Sequence, residues 1–261
     1  MENKYLTRED APIGSDVWKE LDNTMAEAAK GVLAGRRLLH IEGPYGLGLK
    51  AVPLQDNLPE GGLITSSFIP VSLIQKLFTL SKRDLAAFER EGFPINTSAV
   101  ASAAIDAAKL EDSLIFNGAQ EVPGLMNAPG SSEYKLSTWD AVGKAADEII
   151  GAITLLDKAG FHGPYSMALA PARYNLLLRR YPQGGTELEH ISTMVTDGIY
   201  KAPLLKSGGV LLASGRQYAA IVLGQDMAVG FIGPAGEMLE FSITESLAPV
   251  IREPKAVCVL K

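Results

Sequence analysis

Apolar residues recur along this chain with two different periods, and the switch between them divides it into elements. From Ser15 to Leu33 the residues Trp18, Leu21, Met25, Ala29 and Val32 fall at helical spacing, with Ser15 able to cap and Gly31 and Gly35 closing the run. Arg36 to Gly43 reads as a strand, followed by the turn Gly43-Pro-Tyr-Gly46. Ser81 to Glu91 predicts a short helix, and Asn96-Thr-Ser98 caps a long alanine-rich one ending at Asn117 with Gly118 beyond it. Within that helix Glu111 and Asp112 are neighbours pointing about 100° apart, so they form no acid/base pair and are expected to be solvated or capping carboxylates. Thr138 to Ala159 predicts a further helix with Trp139, Val142, Ala146, Ile149, Ile153 and Leu156 on one face. Ser166 to Ala170 is a short buried strand, and Pro171 is placed to start the helix Ala172 to Arg180. A double-glycine loop, Tyr181 to Thr186, leads to the helix Glu187 to Thr196. The tail then turns to strands at Val210–Ala213, Ala219–Leu223, Met227–Phe231, Met238–Glu245 and Ala256–Leu260. The fourth alternates cleanly, with Leu239, Phe241 and Ile243 on one face and Glu240, Ser242 and Thr244 on the other.

One stretch fits no private core. Leu47 to Leu80 holds two strand-like runs around an Asn57-Leu-Pro-Glu-Gly-Gly62 turn, a hairpin pattern, with Pro53 and Pro70 confining both runs to a sheet edge or an arm. Fixing about 30 residues costs on the order of 30 to 60 kcal/mol of backbone entropy. Offsetting that at roughly 25 cal/mol per Å² needs on the order of 1,200 to 2,400 Å² of apolar burial, the size of a protein–protein interface. The stretch is therefore expected to be an arm packing on neighbouring subunits through Asp56, Leu63, Phe68 and Ile69, the alternative being a mobile surface hairpin.

The 261 residues, 47% of them apolar, suffice for one large domain or two. A net charge of −6, with no basic run longer than Arg36-Arg37 or Arg179-Arg180, argues against a nucleic-acid partner. The single cysteine, Cys258, excludes an intramolecular disulfide and points to a reducing cytoplasm. There is no hydrophobic leader at the N-terminus and no run of eighteen apolar residues, so no membrane partner is expected. His40, His162 and His190 are scattered, and no metal-ligand spacing, phosphate-binding glycine loop or Gly-x-Ser-x-Gly elbow occurs. No metal, no cofactor and no catalytic residue is assigned.

The chain resembles an encapsulin, the shell protein of bacterial and archaeal nanocompartments with the tailed-phage (Hong Kong 97) major-capsid fold, of α+β class. The resemblance runs in order through Trp18-Lys-Glu-Leu-Asp22, Ile41-Glu-Gly-Pro-Tyr-Gly46, Phe88-Glu-Arg-Glu-Gly92, Glu111-Asp-Ser-Leu-Ile-Phe-Asn-Gly118, Gly124-Leu125, Gly163-Pro-Tyr165, Leu223-Gly-Gln-Asp-Met-Ala-Val-Gly230 and Ile243-Thr-Glu-Ser246. It implies a peripheral domain (residues 1–46, 80–127 and 215–261), an extended loop (47–79) and an axial domain (128–214). It also implies an icosahedral homo-oligomer with Pro182, Gln183, Gly184, Gly185 and Thr186 lining the five-fold pore. The partner it implies is a cargo enzyme, a ferritin-like iron-storage protein or a dye-decolourising peroxidase, linking the shell to iron storage and oxidative stress. The cargo's C-terminal targeting peptide would dock on Arg36 and His40, taken as lying on the strand after the first helix, and on Asp226, Met227, Val229 and Phe231 of a late strand. The competing readings are a hydrolase of protease or bacteriocin type and a phage major capsid protein.

Overall fold

The computed structural model describes residues 3–57 and 64–261. In chain order its helices and strands are α1 (Ser15–Lys30), α2 (Gly35–Leu38), β1 (His40–Glu42), β2 (Ala51–Asn57), β3 (Thr65–Pro70), β4 (Ser72–Ser81), α3 (Lys82–Glu91), α4 (Ser98–Asn117), β5 (Ser132–Tyr134), α5 (Lys144–Lys158), β6 (Tyr165–Leu169), α6 (Pro171–Leu176), α7 (Glu187–Ser192), β7 (Ile199–Lys201), β8 (Gly209–Ala213), β9 (Ala219–Ala235), β10 (Met238–Ile251) and β11 (Val257–Leu260). These group into two compact units. The first comprises Met1–Leu33, Gly43–Glu111 and Leu223–Leu247, and the second Ala34–Glu42, Asp112–Val222 and Ala248–Lys261.

In the first unit β10 pairs antiparallel with β4 from Met238↔Ser81 to Leu247↔Ser72. Of the alternation expected of Met238–Glu245 the apolar face holds, with Leu239, Phe241 and Ile243 buried, while Ser242 on the opposite face is buried too; Phe241 stacks on Phe78 at 5.4 Å and meets Trp18 of α1 edge-on at 5.8 Å. Helix α1 contributes the buried residues Val17, Leu21, Met25 and Ala29, a stripe at every fourth position along one helical face. The β2–β3 hairpin forms a two-stranded sheet of its own. The second strand-like run of the sequence splits at Val71, because β4 from Ser72 onward has β10 as its partner.

In the second unit five strands are ordered β5–β11–β8–β6–β7. Their core gathers Trp139, Ile149, Leu156, Met167, Leu169, Leu177, Ile191, Leu211 and Leu260, with Cys258 among them. Strand β1 pairs parallel with the first residues of β9, His40↔Ala220 to Glu42↔Val222.

Four local expectations are corrected, each by a side chain distant in sequence or by a turn. Residues 36–43 are not one strand: Gly35–Leu38 is a helical turn, because buried Asp112 accepts from the N–H groups of Ala34 and Gly35 at 2.9 Å and caps it. Arg36 therefore sits in α2, and only His40 opens a strand. Glu111 and Asp112 are both fully buried, which removes the solvated reading and leaves Asp112 as a cap. The helix foreseen from Thr138 begins at Lys144, after Gly143 in the left-handed region at φ 95°. The residues before it turn Trp139 inward, where its Nε1 donates to Glu148 at 2.7 Å. Last, Ala219–Leu223 and Met227–Phe231 are one strand, carried across the polar Gly224-Gln-Asp226 by hydrogen bonds from Gln225 N to Ser246 Oγ (2.8 Å) and from Gln225 Nε2 to Thr244 Oγ1 (2.9 Å).

Candidate functional site

Three surfaces hold the residues the sequence singled out. The first is the hairpin arm. Its ladder runs Ala51↔Pro70, Val52↔Ile69, Pro53↔Phe68, then Asp56↔Ser66 and Asn57↔Thr65, with a register shift between Pro53 and Asp56. Asp56 Oδ1 accepts from Ser66 Oγ at 2.7 Å, and Ile69 is buried, while Leu63 lies outside the described residues. Phe68 is 64% exposed, and Ile64, Leu73 and Leu77 are each more than half exposed. Those last two stand on β4 opposite Ser246 and Ser242, on the face that carries the hydroxyl residues of β10 rather than Phe241. Large apolar side chains in this number, on and beside strands that lie at sheet edges, are the kind of patch that is covered by a partner.

The second surface is the double-glycine loop. Tyr181 N donates to Gly185 O and Gly184 N to Tyr181 O, closing a tight turn in which Gly184 (φ 99°) and Gly185 (φ 77°) occupy the left-handed region that a side chain disfavours. Pro182, Gln183, Gly184 and Gly185 are exposed. Thr186 closes the loop with a reciprocal cap: its N–H donates to Glu189 Oε2 at 2.8 Å and its Oγ1 accepts from Glu189 N at 3.1 Å. Glu187, fully buried, accepts from Gly143 N and Ala146 N at the start of α5 and pairs with Arg179 at 3.5 Å. One carboxylate thus anchors the loop to the neighbouring helix, a role no local pattern suggested. The Thr186-x-x-Glu189 box is readable in the sequence and sets the start of α7 at Glu187. Above the loop Tyr181 Oη lies 3.0 Å from His190 Nδ1, beside a depression of about 420 Å³.

The third surface is the late strand with the N-terminal helix. Asp226 is exposed and accepts from Met227 N. Met227, half-buried, packs with Val32 against Ala29, Leu33 and Ala108. Val229 and Phe231 are buried, Phe231 lying edge-on to Phe241 at 5.6 Å, so they offer main-chain atoms at this strand rather than side chains. Arg36 and His40 belong to the second unit, and Asp226 to Phe231 to the first. Sequence reading missed the residues lying against this strand, Asn3 to Asp10, whose polar composition carries no periodicity. Among the described residues no group of three or more His, Cys, Asp or Glu is placed to hold a metal ion, and no helix is long and apolar enough to cross a membrane.

A family model described as an encapsulating protein for peroxidase matches residues 2–248. The chain belongs to the encapsulin family. It is 30% identical over 276 aligned positions to the type 1 encapsulin shell protein EncA of Myxococcus xanthus, covering 98% of this chain and 96% of that one. In structure it is similar to a virus-like particle from Pyrococcus furiosus, with a TM-score of 0.79 and 20% identity over 94% of this chain and 99% of that chain. The capsid of Myoviridae phage XM1 shares the fold at a TM-score of 0.58 and 15% identity, over 85% and 88% of the two chains. The fold is the α+β capsid fold that the resemblance implied.

Proposed function

We propose that this encapsulin is a structural subunit, not an enzyme, which closes with copies of itself into an icosahedral container around a cargo enzyme in the cytoplasm. The observation that carries the proposal is the hairpin arm with the strand that follows it. Among the described residues each strand has a ladder partner on one side only, and Ile64, Phe68, Leu73 and Leu77 stand in solvent, a cost that a second subunit removes. The description of the matching family as encapsulating a peroxidase supports a redox enzyme as cargo. The exposed loop around Gln183 to Gly185 is the proposed five-fold pore, where small residues leave a passage for ions and small substrates. The proposed dock for the cargo's C-terminal peptide is Met227 with Val32 and the main chain at Val229 and Phe231, joined by Asp226, all within the first unit; Arg36 and His40, in the second unit, are left out of it.

Electron microscopy of the purified protein, with mass spectrometry of co-purifying material, tests the reading. Closed particles carrying one defined partner are expected. A Met227→Asp variant is expected to keep the particles and lose the partner. Met227 is the residue to change, since a charge at fully buried Val229 would unfold the sheet before reporting on docking. Monomers alone would overturn the container, and undiminished partner in Met227→Asp particles would overturn the dock.

A further inference from the structure

Past Val222, strand β9 has lost β1 as its neighbour. The next residues after β1 still serve it, with Tyr45 N donating to Leu223 O and Gly46 N to Gly224 O. Beyond Gly224 that edge is met by the N-terminal segment, and by side chains instead of a ladder. Asn3 Nδ2 donates to Gln225 Oε1, Arg8 Nε donates to the carbonyl of Val229 at 2.8 Å, and Thr7 Oγ1 donates to the carbonyl of Phe231. Leu6 lies over Gly230, where its Cδ2 would come within 3.2 Å of any added Cβ. Arg8 also forks onto Asp22 of α1 at 2.8 and 2.5 Å and stacks on the Trp18 ring at 4.6 Å, so one side chain bridges α1 and β9.

Two features mark this segment as a replaceable cover rather than core. Its two short helical turns, Lys4–Leu6 and Arg8–Asp10, contain no buried residue. They are joined at Thr7, a β-branched residue held at φ 49°, in the left-handed region where such residues are strained. The acceptors it occupies at Val229 and Phe231 are main-chain carbonyls, which any donor of the right spacing can use. The arrangement therefore describes its own substitute: an apolar residue over Gly230, a hydroxyl on Phe231 O, and a guanidinium reaching Val229 O, Asp22 and Trp18.

We infer that Asn3–Asp10 is a built-in occupant of the β9 edge, displaced by a peptide carrying an apolar residue, a hydroxyl and a guanidinium in succession. The inference rests on the docking reading above and deepens it by stating the chemistry of the partner. A short tether holds its end at roughly millimolar effective concentration, so a free peptide of equal contacts is excluded until the segment is removed or weakened.

The test co-expresses the shell with a fluorescent reporter protein ending in the sequence of residues 3–10, Asn-Lys-Tyr-Leu-Thr-Arg-Glu-Asp. Reporter per subunit is measured in purified particles of the full chain, of a chain lacking residues 1–11, and of full-length Arg8→Ala. The expected result is about tenfold more reporter in the truncated particles than in the full chain, an intermediate rise for Arg8→Ala, and none when the reporter tail has its own arginine replaced by alanine. Should the truncated chain fail to assemble, Arg8→Ala decides. Equal loading of all three shells, or none in any, overturns the inference. If Met227→Asp sheds the natural partner while truncation captures no reporter, the inference alone fails. If truncation captures reporter while Met227→Asp keeps the partner, the docking reading fails and the peptide site stands.

Discussion

Replacing Phe68 by alanine separates folding from assembly. The ring is 64% exposed on a hairpin whose backbone partners are within the same chain, so its removal leaves the subunit's own packing in place. With about 200 Å² for a fully covered aromatic side chain, the uncovered part is about 130 Å². At about 25 cal/mol per Å² its burial against a neighbour contributes about 3 kcal/mol per subunit. Since each 1.4 kcal/mol is a factor of about ten, the subunit concentration at which particles form is expected to rise by about a hundredfold in Phe68→Ala. The melting of unassembled subunits should shift by no more than an exposed surface substitution does, within about 0.5 kcal/mol. Light scattering against subunit concentration measures the first quantity, and thermal unfolding of dilute subunits the second. Unchanged assembly, or a clear loss of subunit stability, would refute the reasoning, because Phe68 would then be idle surface or hidden core.

Three other expectations follow from single residues. Gln183→Trp should slow uptake of a small ion or substrate by filled particles while leaving assembly intact; Gln183 is the position to change because Gly184 and Gly185 hold left-handed backbone that a side chain would strain. For Glu148, burial raises the carboxyl pKa, but hydrogen bonds from Ser137 and Trp139 and the charge of Lys144 outweigh it and hold the group below its ordinary 4.5. Its contribution to stability is therefore full above that value and lost as pH falls through the lowered one, so Glu148→Gln should flatten the acid limb of a stability-against-pH curve measured by denaturant unfolding. Burial pushes the Cys258 thiol up to about 12, so a disulfide reagent in mildly alkaline buffer should react slowly with native protein and with one thiol per chain in denaturant.

What was legible in the sequence was what neighbours in sequence decide. The pairing of β2 with β3 followed from the two strand-like runs that carry Pro53 and Pro70, the turn foreseen between them lying outside the described residues, and the extent of α4 followed from the Asn96-Thr-Ser98 run at its start and Gly118 beyond its end. Where the structure departs, the deciding atom is far along the chain. Asp112 caps a helical turn 77 residues earlier, and Glu187 holds the N–H of Gly143 across 44. The polar Gly224-Gln-Asp226 does not break β9, because the hydroxyl of Ser246, 21 residues beyond Gln225, accepts its N–H. Periodicity has no access to such pairings. It also passes over Asn3 to Asp10, since that segment is held by side-chain donors on carbonyls and contributes nothing to a core.

The arm and the β9 edge use different chemistry for the same task. On the arm, the side chains presented to a neighbour, Ile64 and Phe68, are apolar area, which binds without direction and in proportion to contact. The β9 edge offers the reverse: main-chain carbonyls at Val229 and Phe231 and the Asp22 carboxylate, each demanding a donor at a fixed place. Area that binds without direction suits a contact repeated identically between copies, where symmetry supplies the register. Directional acceptors suit a contact that must tell one peptide from another, because an unmatched donor or acceptor costs more than a lost apolar contact. A subunit that both assembles with itself and selects a guest needs the two kinds of surface kept apart, and the two proposed surfaces lie on different strands, β3 with β4 for the first and β9 for the second.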